Sequence, residues 1–191
     1  MIGGDLSVSD TLTLAVTAFG DLEGRHAVLR SGARPGDVVA VSGALGLAAE
    51  GLALLFGLSD GEPVPPSDAL RASAAVQAQL RPAPPVGDGV LAAVAGATAM
   101  MDVSDGLLLD ASRLASASGV RIDLDEPTHP LALTGGEDHA LLATFPQDVP
   151  LPGGFRPAGR VLAGEGVTVA GRAPDGRGGW DPYEDWDGAH G

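Results

Sequence analysis

The 191-residue sequence contains no cysteine. It also has no lysine and no asparagine, and all 11 of its basic side chains are arginine. Each absence removes a chemistry. Without cysteine there is no disulfide, thiolate nucleophile or zinc ribbon, and without lysine there is neither a Walker-A phosphate loop nor a Schiff base. Without asparagine there is no N-glycosylation sequon. Basic charge is scarce, since 25 acidic residues face those 11 arginines and leave a net charge of −14. Such a field repels a nucleic-acid backbone and favours partners that bring cations with them. Nucleic acid is therefore not an expected partner. The first ten residues lack the basic and apolar regions of a signal peptide. The longest uncharged apolar stretch, residues 90–101, falls short of the ~18 residues that cross a bilayer. A cytoplasmic protein without a membrane partner is expected. The four histidines, His26, His129, His139 and His190, have no metal-ligand spacing, so a zinc site is not expected.

Hydrophobic residues make up 45% of the chain, which is enough to bury a core. The 29 glycines and 15 prolines punctuate apolar segments and do not form a low-complexity tract. Residues 11–19 alternate, with Leu12, Leu14, Val16 and Ala18 on one face, as a half-buried strand does. That strand needs partners. Residues 38–41 form a short β-branched run that reads as a buried strand. The turn Ser42-Gly43-Ala44-Leu45-Gly46 then leads into a helix over residues 47–56 that stops at Gly57. The turn has only part of a dinucleotide-binding fingerprint and reads as close packing.

A Pro-rich loop over residues 59–67 precedes a helix over residues 68–80, with Ser67 as its N-cap. An extended linker at residues 81–85, a helix over residues 89–95 and a strand at residues 97–101 follow. Residues 107–118 form an amphipathic helix with Leu107, Ala111, Leu114, Ala115 and Ser118 on one face, closed by Gly119. Five short strands then follow, at residues 120–124, 131–134, 139–145, 156–161 and 166–169. The tail from residue 174 is acidic and Gly-rich and holds Trp180, Trp186 and the only tyrosine. The fold class is α/β (α+β), a mixed sheet with helices packed on it.

Two places carry candidate chemistry. Asp102-Val103-Ser104-Asp105-Gly106 lies between an apolar strand and a helix and supplies two carboxylates and a hydroxyl. Hard oxygens of this kind suit Mg²⁺, which takes most of its other ligands from water and phosphate. The plainer alternative is that Ser104 or Asp105 caps the following helix. Leu133-Thr134-Gly135-Gly136-Glu137-Asp138 pairs two glycines with two acids. It reads either as a hairpin turn or as a place where backbone approaches closely and Glu137 faces a ligand. The tryptophans either anchor the tail or offer a flat face to an aromatic ligand.

Five segments stand in an order that resembles the bacterial thiamine-monophosphate kinase family: Gly3-Gly4-Asp5; Leu29-Arg30-Ser31-Gly32-Ala33-Arg34-Pro35-Gly36-Asp37; Leu80-Arg81-Pro82-Ala83-Pro84; Met101-Asp102-Val103-Ser104-Asp105-Gly106-Leu107; and Leu133-Thr134-Gly135-Gly136-Glu137-Asp138. The resemblance implies the aminoimidazole ribonucleotide synthetase-like fold. It also implies ATP- and Mg²⁺-dependent transfer of a γ-phosphoryl group to thiamine monophosphate. Position by position, it makes Asp5, Asp102 and Asp105 metal ligands. It puts Gly4, Asp5, Arg30 and Ser104 at ATP, and Glu137 and Trp180 at the thiamine moiety. No general acid or base is implied, because the acceptor phosphate is already ionised and the task is to align two anions. Members of the family carry a Gly-Asp-Asp metal motif ahead of the first of these segments, and this sequence has none. Residues 1–28 are therefore expected to be a remnant of an N-terminal ATP- and metal-binding domain, and residues 29–191 a C-terminal α/β domain. The family's homodimer forms through that N-terminal sheet. A non-catalytic phosphate-binding remnant, or a related ATP-dependent enzyme with another acceptor, are the alternatives.

Overall fold

A computed structural model describes residues 3–4, 6–57, 67–174 and 178–181. The elements run in the order β1 (Val38–Ser42), α1 (Leu47–Phe56), α2 (Asp68–Arg71), α3 (Ala74–Leu80), α4 (Val86–Ala95), β2 (Ala99–Val103), α5 (Leu107–Ser118), β3 (Arg121–Leu124), β4 (Ala140–Phe145), β5 (Arg156–Leu162) and β6 (Gly166–Val169). The strands form one six-stranded sheet in the order β2-β4-β1-β5-β3-β6. It is mixed: β3 and β6 run parallel and the other neighbours antiparallel.

β1 lies in the interior of the sheet, and Val39, Ala40 and Val41 are fully buried. A continuous apolar run is what a strand covered on both faces requires. One face packs on α5 through Leu107, Leu108, Ala111, Leu114 and Ala115, which meet Val39, Val41, Ile122 and Leu142. On the other face, Ala40, Ala143 and Phe145 meet Ala92 of α4 and Phe155. Phe145 and Phe155 stand edge to face, 5.3 Å between centroids.

Asp123 of β3 is buried and ties the far edge of the sheet together. It accepts hydrogen bonds from Thr168 Oγ1 (2.7 Å), the Gly171 amide (2.8 Å) and Arg160 Nη2 (2.9 Å). The Thr168 hydroxyl, the Gly171 amide and then the Arg160 guanidinium hold its carboxyl below the ordinary aspartate value, against the opposing effect of burial.

The expected elements over residues 38–41, 47–56 and 107–118 form, with Gly57 and Gly119 as their stops. Others differ. Residues 11–19 form no strand, and Leu12, Leu14, Val16 and Phe19 are exposed, because no other described strand offers them a ladder. The helix expected over residues 68–80 breaks into α2 and α3, because Ser73 turns its hydroxyl to the Val76 amide and starts a new helix. Ser67 caps the first piece through Leu70 N, as expected. The expected helix over residues 89–95 begins earlier, at Val86. Residues 131–134 are a turn and not a strand: the Gly135 amide bonds Leu131 O (2.7 Å) and the Ala132 amide bonds His129 O (3.1 Å). The loop expected at residues 59–67 falls, except for Ser67, outside the described residues, as do Trp186 and Asp5.

Candidate functional site

β2 and β4 pair antiparallel with Val103 opposite Ala140 and Asp102 opposite Leu141. That register brings the segment leaving β2 alongside the segment entering β4, so residues 104–106 and residues 135–139 become neighbours. The contact is backbone to backbone: the Glu137 amide donates to Ser104 O at 2.9 Å. A Cβ built on Gly136 would lie 2.3 Å from that same carbonyl oxygen. The double glycine thus serves as a close-approach site, and the hairpin alternative fails because residues 131–134, just before it, form a turn and not a strand. Glu137 and His139 both have positive φ, 70° and 52°, an uncommon conformation for residues with side chains.

The tail closes the third side. The Trp180 amide donates to Asp105 O (3.0 Å) and the Leu109 amide to Gly178 O (3.1 Å). Gly179 has φ +158°, and a Cβ there would lie 2.2 Å from Asp105 O. The tail is therefore anchored through its backbone, while Trp180 as a whole is 68% exposed.

The Ser104–Asp105 turn is held from inside α5. The α5 N-cap is Gly106, with no side-chain cap, so the capping alternative for Ser104 and Asp105 is not what forms. Instead Asp110, fully buried, reaches back and accepts from the amides of Ser104 (3.0 Å) and Asp105 (3.1 Å) through Oδ2. Its Oδ1 accepts from Arg113 Nη1 at 2.7 Å, and the same Nη1 donates to Asp105 Oδ2 at 2.5 Å. The hydrogen bond to Asp105, joined by that to Asp110, raises the Arg113 pKa above its ordinary value although burial opposes it.

A second acid fixes the neighbouring helix. The N-cap of α1 is Gly46, which has no side chain to cap the helix, and Asp138 Oδ1 accepts from the Ala48 amide at 2.9 Å. Its Oδ2 is buried without a hydrogen-bond partner among the described residues. Asp138 lines a cavity of about 270 Å³ together with Gln77, Arg81, Pro82 and Ala83. Neither Asp110 nor Asp138 was marked as a site residue by the sequence. The signal for Asp110 was a carboxylate on the apolar face of the helix, flanked by Leu107, Ala111 and Leu114.

The structure gathers Asp102, Ser104, Asp105, Glu137 and Trp180 at one end of the sheet. Asp102, Glu137 and Trp180 are exposed, and Ser104 and Asp105 are partly buried. Arg30 lies apart, since its carbonyl accepts from Ser118 Oγ (2.9 Å) at the C-terminal end of α5. The 12 residues of α5 span about 18 Å from the Asp105 end to that end. Gly4 is exposed, with nothing within 4 Å of where a Cβ would lie.

Among the described residues no three histidine or acidic side chains close around one point. The donor set still suits Mg²⁺, which binds through one or two carboxylates and completes its octahedron with water and phosphate oxygens. Asp102 makes no ion pair among the described residues, and Arg113 engages only Oδ2 of Asp105.

An α/β domain with a helix on each face of a mixed sheet, and an acidic, glycine-clamped loop cluster at one sheet end, is the class that fold and site define. The chain belongs to the AIR synthase related protein family, whose C-terminal domain it matches over residues 34–150. It is 43% identical over 204 aligned residues to the thiamine-monophosphate kinase of Mycobacterium tuberculosis, covering 96% of this chain and 57% of the relative. To that of Corynebacterium glutamicum it is 40% identical, covering 96% and 60%. Among solved structures, a complex of AaThiL with AMPPCP and TMP is similar at 37% identity and a TM-score of 0.64, covering 79% of this chain and 53% of the other. The thiamine-monophosphate kinase of Stenotrophomonas maltophilia also gives 0.64, at 29% identity, covering 80% and 55%. The chain thus spans a little over half the length of the curated relatives it matches. No described helix is long and apolar enough to cross a membrane.

Proposed function

We propose that this chain is part of an enzyme that transfers the γ-phosphoryl group of ATP to thiamine monophosphate, giving thiamine diphosphate. The observation that supports this best is the joining of three separate segments by backbone hydrogen bonds: Glu137 N to Ser104 O, Trp180 N to Asp105 O and Leu109 N to Gly178 O. Together they join the segments that carry Asp105, Glu137 and the exposed Trp180, next to the end of β2 where Asp102 lies. The similarity to thiamine-monophosphate kinases over 96% of the chain adds the substrate.

In this reading Asp102 and Asp105 hold Mg²⁺, together with Asp5. When bound, the metal neutralises the charge of the phosphates and polarises the transferring group. Ser104, fixed through its amide by Asp110, contacts the nucleotide, with Gly4 and Arg30 as further nucleotide contacts. Arg30 would serve a part of the nucleotide remote from Ser104, given their separation along α5. Glu137 contacts the thiamine moiety, and the Trp180 ring stacks on it. A phosphate oxygen is the nucleophile and is ionised at neutral pH, so no side chain need remove a proton. The chain's own contribution is alignment and charge balance. Residues 1–28 belong to the nucleotide-binding domain and residues 29–191 to the C-terminal domain. A homodimer and a cytoplasmic location accompany the reading.

The test is chromatographic detection of thiamine diphosphate after incubation of the purified chain with Mg-ATP and thiamine monophosphate, beside Asp102→Asn and a panel of other phosphorylated acceptors. Product from thiamine monophosphate that disappears in Asp102→Asn supports the reading. Turnover that survives the substitution, or that prefers another acceptor, rejects it.

A further inference from the structure

Arg113 stands where a cation bound by Asp105 would compete with it. Its Nη1 bridges Asp105 Oδ2 and Asp110 Oδ1, at 2.5 and 2.7 Å. Both contacts use one terminal nitrogen, so Nε and Nη2 make no hydrogen bond to a described residue, and the side chain is 30% exposed. The two carboxylates differ. Asp110 is fully buried and also carries the two loop amides, so its place is fixed from three directions. Asp105 is 21% exposed in its side chain and, apart from Arg113, has no side-chain partner among the described residues. Its backbone is already set by Asp110 below and by the Trp180 amide above. Asp105 therefore does not need Arg113 to hold its position, and Arg113 retains a partner in Asp110 if Asp105 turns away.

We propose that Arg113 is an exchangeable counter-ion: it neutralises Asp105 in the empty site and is released to Asp110 alone when Asp105 takes up a divalent cation. The guanidinium then presents its unused donors beside the incoming phosphates, a fork that matches phosphate oxygens. Cation affinity at Asp105 is thus set below what an unpaired carboxylate would give, and Asp105 stays paired until a cation displaces Arg113. This inference rests on the reading of Asp105 as a metal ligand. It adds to that reading a residue that the resemblance did not mark.

The opposite role, Arg113 as a strut that orders Asp105 for the metal, makes the opposite prediction. The experiment measures Mn²⁺ binding by the bound fraction in electron paramagnetic resonance, titrated into the millimolar range, on the intact chain and on Arg113→Gln, Asp105→Asn and the double variant. Glutamine is chosen because its amide still donates to Asp110, and thermal unfolding checks that the variants remain folded. Release of a partly exposed ion pair predicts binding up to about fivefold tighter in Arg113→Gln. That gain should vanish on the Asp105→Asn background. Unchanged or weaker binding in folded Arg113→Gln, or a gain that persists without Asp105, overturns the exchange. If Asp105→Asn binds Mn²⁺ as the intact chain does, the metal reading of Asp105 fails, and the exchange fails with it.

Discussion

Gly136→Ala tests the clamp between the two acidic loops with a single methyl group. The added Cβ would lie 2.3 Å from Ser104 O and 3.3 Å from Asp105 Cα. Both neighbours are backbone, and the Ser104–Asp105 segment is pinned by Asp110, so neither can yield by rotating a side chain. Relief requires the two loops to part by roughly 1 Å, enough to strain or break the Glu137 N to Ser104 O bond. Overpacking of this kind costs about 1–3 kcal/mol, and loss of the hydrogen bond about 0.5–1.5 kcal/mol. We expect a loss of about 2–4 kcal/mol in urea unfolding, and a weaker affinity for thiamine monophosphate measured by calorimetry on the folded fraction. Gly87→Ala is the control, since it lies in α4 with nothing within 4 Å of its Cβ and no positive φ. It should stabilise the chain by up to about 1 kcal/mol. A Gly136→Ala chain as stable as the parent, binding acceptor equally well, would refute the clamp.

Three further outcomes follow from other parts of the molecule. Asp138→Ala removes the only side-chain acceptor among the described residues at the start of α1 and should cost about 1–2 kcal/mol in chemical denaturation; an unchanged midpoint would mean α1 does not depend on that cap. Asp123 has its carboxyl lowered in the folded state, so its contribution to stability is fully present above the unfolded aspartate value near 3.9 and fades as pH falls through the lower native value. Asp123→Asn should therefore lose more stability at pH 7 than at pH 3 in parallel urea titrations, and an equal loss at both would contradict the assignment. Trp180→Ala should leave the unfolding midpoint in place, because the residue is 68% exposed, while weakening thiamine monophosphate binding by about tenfold, the scale of one ring stacking on an aromatic face. Unweakened binding would remove Trp180 from the acceptor site.

The sequence and the structure agree where a single periodicity decides the backbone. The buried run of β1 and the apolar stripe of α5 are local patterns, and glycine at positions 57 and 119 ends its helix in each case. They part where a side chain far along the chain takes over a backbone group. The Ser104–Asp105 turn is held by Asp110 and not by its own hydroxyl and carboxylate, and α1 is capped by Asp138, 90 residues beyond Ala48. Leu131 and Leu133 mimic strand alternation, yet the nearby carbonyls of His129 and Leu131 satisfy the amides of Ala132 and Gly135 first. Residues 11–19 alternate well but have no described neighbour to pair with, and alternation without a ladder makes no strand.

The candidate residues themselves were legible as motifs, because the turn after β2 and the double glycine before β4 are distinctive in composition. That they meet was not legible. It depends on the Val103–Ala140 register, which a single residue of slip would undo. Arg113 left no mark in the motif because it stands eight residues beyond Asp105, two turns down the helix.

The claim at the centre is that Asp102 and Asp105 serve the same site as Glu137 and Trp180. Calorimetric titration of thiamine monophosphate into the chain, with and without Mg²⁺ and AMPPCP, measures this through the coupling between the two ligands. One shared site predicts that the metal–nucleotide complex changes acceptor affinity, and that the change is lost in Asp102→Asn and Asp105→Asn. Acceptor binding that ignores the nucleotide, with the same affinity in both variants, would contradict a single site.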